Sequence, residues 1–199
     1  MKFKLVFLIV LLATLSCANV MAAAIGMPQQ TARLGFALGF ANFAVDDPDG
    51  DSEDDWAVRP LNIIYTDRAF GVYRYWAEAF YQDTVLSASN TQIGQEVKQL
   101  GIRGSMQREM ARHPIGTSWL GAGFQLSHDD YRNRHTIDNA GFLAQTYSDR
   151  SGLEPALLLN YMFEKKLAGW DLAGKIEKSI ALGDGTNELT FSLALLFSY

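Results

Sequence analysis

The sequence predicts an all-β protein, an eight-stranded antiparallel up-and-down transmembrane β-barrel that follows a cleaved signal peptide. Apolar and polar residues alternate along much of the chain with a period of two, which is typical of strands with one apolar face. The chain begins with a basic and then apolar segment that is typical of export. No later segment reads as a membrane-spanning helix, and an exported chain without such helices can cross a membrane only as a closed barrel.

Residues 1–24 form the predicted signal peptide. Lys2 and Lys4 precede the apolar run 5–13, and the small residues 22–24 suit a cleavage site. The alternative is a lipoprotein with Cys17 as the lipidated residue, although the residues before Cys17 fit the usual pattern poorly. Residues 25–199 are then the barrel domain. If Cys17 leaves with the signal peptide, this domain contains no cysteine and needs no disulfide.

Eight strands are predicted, and their connections alternate between long and short. If the first strand starts in the periplasm, the long connections lie outside the cell and both termini lie in the periplasm. Pro60 and Pro155 fall within strands, so we expect bulges or strand ends there. Periodicity does not decide residues 142–151, and residues 128–141 read as a long polar loop. The predicted strands are residues 32–43, 56–65, 69–82, 97–110, 117–127, 153–163, 170–182 and 188–199.

Aromatic residues near the predicted strand ends indicate two girdles at the membrane interfaces. The outer girdle would contain Trp56 and Tyr81. The periplasmic girdle would contain Tyr65, Trp119, Tyr161, Trp170 and Tyr199.

The final segment carries the clearest alternation, and it ends on an aromatic residue. About ten residues of this kind suffice for a tilted strand to cross a bilayer, although the final strand of a soluble sheet is an alternative. Phe197 and Tyr199 resemble the carboxy-terminal assembly signal of bacterial outer-membrane barrels. The apolar positions are Leu189, Phe191, Leu193, Leu195, Phe197 and Tyr199.

Together, the architecture and residues 197–199 resemble the small eight-stranded outer-membrane proteins, the class of OmpX and the OmpA transmembrane domain. The resemblance covers the whole mature chain. It implies an outer-membrane monomer that is inserted by the barrel-assembly machinery and contacts membrane lipid and lipopolysaccharide. It also implies a structural or surface-interaction role, in envelope integrity or in the binding of cations, lipopolysaccharide or partners by the loops. The formal net charge of −5 argues against nucleic acid as a partner.

Residues 45–55, in the predicted first extracellular loop, contain seven acidic residues. Acids at alternate positions beside Gly50 can surround Ca²⁺, which prefers six to eight oxygen ligands. The candidate ligands are Asp47, Asp49, Asp51 and Asp55. The full EF-hand spacing is absent, and a solvated loop without metal is the alternative. We expect no other cofactor.

Several charged residues fall on the inward faces of the predicted strands. An eight-stranded barrel is just filled by side chains, so these charges should pair in a buried network. A gated pore is the alternative, which the narrow lumen disfavours. The network residues are Arg33, Arg74, Glu78, Arg103, Lys175 and Glu177.

The histidines raise the question of enzymatic activity. His113 lies in a predicted periplasmic turn, whereas His128 and His135 lie in the outer loop. A lipid A-modifying hydrolase or acyltransferase is therefore the alternative function, since such barrels use a histidine near the outer leaflet. Ser127 and His128 are adjacent in sequence and would point to opposite faces of a strand, so they cannot simply pair. No catalytic residue is assigned from the sequence.

Overall fold

A computed structural model describes residues 32–46, 52–183 and 187–198. The predicted signal peptide and residues 47–51 lie outside this part of the chain. Within it, no helix is long and apolar enough to cross a membrane. The strands are β1 (Arg33–Asp46), β2 (Ser52–Arg68), β3 (Tyr73–Leu86), β4 (Gly94–His113), β5 (Gly116–Ile137), β6 (Leu143–Thr146), β7 (Arg150–Lys166), β8 (Asp171–Ala181) and β9 (Glu188–Ser198).

Eight of these strands close into an antiparallel barrel. Each strand pairs with its neighbours in the order β1, β2, β3, β4, β5, β7, β8 and β9, and β9 pairs back with β1. The short strand β6 pairs with β5 beyond the end of the β5–β7 ladder. The predicted eight-stranded up-and-down barrel is therefore confirmed, with β6 as an addition in the connection between β5 and β7.

The strands tilt because their registers are staggered. If each residue is followed to its partner on the next strand, a path that starts at Arg33 passes through Thr66 on β2 and Ser179 on β8. It returns to β1 at Phe43, so the total stagger around the barrel is ten residues. Eight strands with this stagger tilt by about 40° from the barrel axis. Partners that meet across the lumen are therefore not at equivalent positions along their strands.

The outward face carries an apolar belt, and polar or charged residues mark its edge at the end with the longer connections. At the end with the longer connections, outward-facing Asp83 follows Tyr81, Lys98 precedes Leu100 and His128 follows Leu126. Lys178 also faces outward on β8, where its long stem can carry the ammonium group toward the interface. Exposed side chains in the belt include Phe36, Leu38, Phe40, Ile63, Ile102, Leu120, Phe124, Leu126, Leu159, Ile176, Leu193 and Leu195.

Both prolines lie where one hydrogen-bonded ladder is interrupted or has ended, as expected from their missing amide hydrogen. On β2, the register with β1 shifts next to Pro60, because Ala37 pairs with Asn62 while Gly39 pairs with Arg59. On β7, Pro155 pairs with β5, but the β7–β8 ladder starts only at the following residue. The predicted bulge is confirmed at Pro60. At Pro155 the prediction is wrong, because β7 continues through this residue without a bulge and only its ladder with β8 starts after it.

Several strands extend further than predicted at the loop end. The predicted polar loop 128–141 is wrong over most of its length, because β5 continues to Ile137. Cross-strand hydrogen bonds with β4, β6 and β7 support this extension despite its polar composition. Outside the membrane a strand needs no apolar face, so alternation in the sequence could not reveal it.

Candidate functional site

The lumen contains buried ion pairs at three levels. At the end with the short turns, the turn-end cluster consists of Arg33, Arg74, Glu164 and Asp171. Arg33 Nη1 lies 2.6 Å from Glu164 Oε1 and 2.5 Å from Asp171 Oδ2. Arg74 pairs with the other Glu164 oxygen, and its guanidinium carbon lies 3.8 Å from the ring centre of Trp119. One carboxylate thus joins two arginines from different strands.

The central cluster consists of Glu78, Arg103, Lys175 and Glu177. Lys175 Nζ lies 2.5 Å from Glu78 Oε1 and 3.1 Å from Glu177 Oε1. Arg103 Nη1 lies 2.6 Å from Glu177 Oε1, and the Trp76 indole donates a 2.6 Å hydrogen bond to Glu78. Two cations therefore neutralise two carboxylates in the middle of the lumen.

The loop-end cluster consists of Arg59, Gln99, Asp129 and Glu188. Arg59 Nη2 lies 2.7 Å from Glu188 Oε2. The Gln99 amide donates to both Asp129 Oδ2, at 2.9 Å, and Glu188 Oε1, at 3.1 Å. The cluster therefore contains one cation, Arg59, and two carboxylates. Arg59 pairs with Glu188, whereas Asp129 accepts hydrogen bonds from the neutral donors Gln99 and Tyr131.

Phe80 connects the central and loop-end clusters. Its ring centre lies 4.7 Å from the guanidinium carbon of Arg59 and 4.2 Å from that of Arg103. The ring also lies against Gly101, where an added Cβ would be 2.7 Å from two of its carbon atoms. Glycine at this position therefore gives the ring the room to stack with both arginines.

All six residues of the predicted lumen network face inward. Arg33, the most exposed of them, keeps 13% of its side chain accessible, and the others are almost completely buried: Arg74, Glu78, Arg103, Lys175 and Glu177. The structure divides them between the turn-end and central clusters rather than joining them into one group.

Five further charged members were not predicted from the sequence: Arg59, Asp129, Glu164, Asp171 and Glu188. Arg59 lies beside the bulge at Pro60, which changes the alternation on β2. Asp129 was placed in a loop and Glu164 in a turn, so no facing was assigned to either. Asp171 and Glu188 share the inward parity of their strands and could have been found from it.

Asp129 lies beyond the edge of the apolar belt, between the outward-facing residues His128 and Asp130. The pKa of its carboxyl group is raised, first by burial and also by the negative charge of Glu188. Hydrogen bonds from Gln99 and Tyr131 act in the opposite direction without cancelling the effect. Asp129 is therefore the acid of this cluster that is easier to protonate than an ordinary aspartate.

A second polar group lies on the outside of the barrel, directly beyond the belt. This outer rim patch consists of Lys98, His128, Asp130, Arg132 and Ser151. Lys98 pairs with Asp130, and Asp130 pairs with Ser151, in the strand registers. His128 Nε2 lies 3.3 Å from Ser151 Oγ. The prediction that His128 cannot pair with Ser127 holds, since Ser127 faces inward, but a different serine contacts the ring.

One girdle assignment is wrong. Trp119 was expected at the periplasmic interface, but it is 4% exposed and lies inside the lumen. Its neighbour Leu120 faces outward instead. Since adjacent residues on a strand point to opposite faces, proximity to a strand end does not place a residue in a girdle.

The remaining sequence-predicted sites fall partly outside the described residues. Asp47, Asp49, Asp51 and Tyr199 are not described, and for Asp55 only the backbone is described, paired with Phe43. Within the described ranges, no three His, Cys, Asp or Glu side chains are arranged to hold a metal ion. Phe197 is 44% exposed on the outward face of β9. The calcium site and the assembly signal stay predictions.

Comparison with solved structures identifies the architecture. Neisserial surface protein A matches with a TM-score of 0.55 and 11% identity, covering 84% of this chain and 97% of that one. Ail, the attachment invasion locus protein of Yersinia pestis, matches at 0.51 and 9%, covering 85% and 100%. The N-terminal barrel domain of Pseudomonas aeruginosa OprF matches at 0.50 and 9%, covering 85% and 98%. This chain has the fold of the small eight-stranded outer-membrane β-barrels.

No family model matches the sequence, and no curated protein matches it significantly. The outer-membrane barrel fold, its outward apolar belt and its polar lumen place the chain in the outer membrane. Such barrels have short periplasmic turns and longer extracellular connections. The loop-end cluster and the outer rim patch are therefore on the extracellular side, and the first and last described residues are on the periplasmic side.

Proposed function

We propose that this barrel is a structural and surface-interaction protein, in which a membrane anchor with a closed lumen supports an extracellular binding surface for cationic ligands. The closed lumen is supported by the three ion-pair clusters. Their side chains reach across the interior between strands that are not neighbours, as Arg59 does to Glu188 and Lys175 does to Glu78. A solute would have to break these buried pairs to pass, at a cost of several kcal/mol for each charge left alone.

The extracellular extension of β5 is the observation that carries the proposal. Beyond Leu126, β5 stays paired with β4 as far as His135 and with β7 as far as Tyr131, and β6 then pairs with its end. Because backbone hydrogen bonds hold the extension, it presents side chains in fixed positions above the membrane. An open cleft of about 420 Å³ lies on it, lined by Asn133, Arg134, His135, Leu143, Thr146, Tyr147 and Asp149.

The negative charge of residues 45–55 favours cationic ligands. Ail has been solved in complex with the heparin analogue sucrose octasulfate, at 13% identity to this chain, a TM-score of 0.51, and coverage of 85% and 100%. In this chain, residues 45–55 contain seven acids and no lysine or arginine. Such a segment repels a sulfated polyanion and attracts divalent cations or basic ligands. Bridging by divalent cations would also let the segment contact anionic lipopolysaccharide.

The proposal is tested with folded barrel in detergent micelles and three probes: Ca²⁺, polylysine and sucrose octasulfate. Binding is measured by isothermal titration calorimetry at low and physiological salt. We expect Ca²⁺ and polylysine to bind the wild type and to bind a D47N/D49N/D51N/D55N variant more weakly. Binding of the octasulfate, with no binding of either cation, would contradict the proposed ligand class. The matched control is a D83N variant, which removes an exposed extracellular acid that lies outside both the segment 45–55 and the cleft.

The structural part of the proposal is tested separately. Planar-bilayer recordings should show no solute-sized conductance for the wild type, because the lumen is filled. Deleting the gene should increase the sensitivity of cells to detergent, and complementation with the wild type should restore resistance. If a large steady conductance appeared, the closed-lumen model would be wrong. If the deletion strain were as resistant as the parent, the structural role would be wrong.

A further inference from the structure

A serine and a histidine meet on the outer surface of the barrel. Ser151 is at the start of β7 and His128 is on β5, and both side chains are exposed. In the β5–β7 register, Ser151 pairs with Asp130 and His128 pairs with Leu153, so the two side chains are diagonal neighbours on one face. Ser151 Oγ lies 3.3 Å from His128 Nε2. The distance is slightly longer than the roughly 2.6–3.2 Å between a general base and a hydroxyl nucleophile, as is common in sites without substrate.

The position of Ser151 and His128 relative to the membrane determines which part of a lipid molecule they can contact. Leu126 is the last apolar outward residue on β5, and His128 is the next outward position. Two residues along a strand correspond to about 7 Å. The pair therefore lies at the level where the acyl chains of outer-leaflet lipids join their headgroups. Neither side chain belongs to the lumen clusters that hold the barrel together.

Two exposed cations lie beside the pair, and a lipid phosphate can compete for them because surface ion pairs are weak. Lys98 and Arg132 both lie on the outer rim patch beside the pair, and each is held by a carboxylate: Lys98 by Asp83 at 3.3 Å and Arg132 by Asp130 at 2.7 Å. Asp130 shares its face with His128. The pKa of the Asp130 carboxyl group is lowered, chiefly by the hydrogen bond from Arg132.

We propose that Ser151 and His128 form a nucleophile and base that hydrolyse acyl esters of outer-leaflet lipids. The proposal goes beyond the surface-interaction function and does not depend on it. The chemical class of substrate is an ester at the membrane interface beside a phosphate, which both lipid A and glycerophospholipids provide.

The reaction needs only the lipid and water. Ser151 Oγ bonds to the ester carbonyl carbon while its proton moves to His128 Nε2. The bond between the carbonyl carbon and the alcohol oxygen then breaks, and His128 returns the proton to the departing lipid alcohol. Water attacks the acyl-serine and gives a proton to His128. The fatty acid leaves and Ser151 regains its proton, so one ester and one water become one acid and one alcohol.

The test uses the full barrel reconstituted separately with lipid A and with a diacyl phosphatidylethanolamine, and released fatty acid is quantified by mass spectrometry. We expect release from at least one lipid by the wild type. S151A should reduce the rate to background, and H128N should reduce it by about 10²- to 10⁴-fold. S148A is the matched control, because Ser148 is also an exposed serine of the extracellular region, and its rate should equal that of the wild type.

A fluorophosphonate probe supplies a readout that does not depend on the choice of lipid. It should label the peptide that contains Ser151 in the wild type and in S148A, but not in S151A. All variants are checked for heat-modifiable migration on gels, which reports the folded barrel. The proposal is overturned if folded wild type shows neither probe labelling of Ser151 nor release above S151A with either lipid. That result would leave the cation-binding experiments unaffected, so the two proposals fail independently.

Discussion

Lys175 Nζ lies 2.5 Å from Glu78 Oε1 across the lumen, although 97 residues separate them in sequence. The two residues are on β8 and β3, which do not pair with each other, and both side chains are almost completely buried. Glu78 also accepts a hydrogen bond from the Trp76 indole, and its Oε2 lies 3.7 Å from Arg103 Nε. The Glu78 carboxylate therefore contacts three side chains of the lumen, those of Trp76, Arg103 and Lys175.

The substitution Glu78→Gln should strongly destabilise the folded barrel. It leaves Lys175 and Arg103 to share Glu177, and breaking a buried pair in this way costs about 3–5 kcal/mol. The matched control is Asp83→Asn on the same strand, because Asp83 forms an exposed ion pair with Lys98, and such pairs contribute about 0–1 kcal/mol. Urea unfolding followed by tryptophan fluorescence measures both. Equal losses would show that the central cluster adds nothing beyond surface charge.

The substitution Gly101→Ala should displace the Phe80 ring. The added methyl group would lie 2.7 Å from the ring and 2.8 Å from the Leu126 carbonyl oxygen, and overpacking of this kind costs about 1–3 kcal/mol. Gly104→Ala on the same strand is the control, because nothing lies within 4 Å of an added Cβ there. The free energies of unfolding of the two variants are compared. A Gly101 variant as stable as the Gly104 variant would contradict the close packing of Phe80.

Stability should depend on pH through Asp129. Its pKa is raised in the folded barrel, so the folded state binds the proton more tightly than the unfolded state. The stabilising contribution of Asp129 to the free energy of unfolding is therefore complete below the ordinary aspartate pKa. It is lost as the pH rises through the raised pKa of the folded state. Asn at position 129 cannot titrate. The difference in unfolding free energy between wild type and Asp129→Asn should change between pH 3.5 and pH 7, and a constant difference would contradict the raised pKa.

Assembly should require the aromatic residues Phe197 and Tyr199. Deletion of Tyr199, or Tyr199→Asp, should leave the protein degraded or in the periplasm, because the resemblance assigns Phe197 and Tyr199 to the assembly signal. Leu189→Ala, on the same strand but away from its end, serves as the control and should still insert. Fractionation followed by heat-modifiable gel migration measures the outcome. Normal outer-membrane recovery of the Tyr199 variants would show that the assembly machinery does not need this residue.

Calcium should protect the acidic segment from proteolysis if Asp47, Asp49, Asp51 and Asp55 bind it. Ligand oxygens drawn around one ion would order the segment and slow its cleavage. Limited proteolysis of folded barrel is compared at millimolar calcium and with a chelator, with cleavage located by mass spectrometry. The D47N/D49N/D51N/D55N variant should lose the protection. Equal cleavage between Ala44 and Trp56 in both conditions would exclude the site and leave a solvated negative segment.

Where the membrane-spanning strands alternate regularly, the sequence by itself determined which residues face lipid. A strand places alternate side chains on opposite faces, and lipid on the outside requires an apolar residue at each outward position. Leu34, Phe36 and Phe40 are therefore exposed, and Arg74 and Lys175 are buried, as parity predicts. The same alternation predicted the eight membrane-spanning strands, because each strand needs about ten alternating residues to cross the bilayer. The long and short connections are the segments between these strands.

Only the tertiary structure decided which inward residues meet. The stagger of the closed barrel brings Lys175 to Glu78 and Arg59 to Glu188, and no local pattern in the sequence contains that stagger. The bulge at Pro60 turned Arg59 inward, where simple alternation from Asn62 would have placed it outward. Above the membrane, backbone pairing replaces apolar alternation as the cause of strand structure. For that reason the contact between His128 and Ser151 appears only once β5 and β7 are paired.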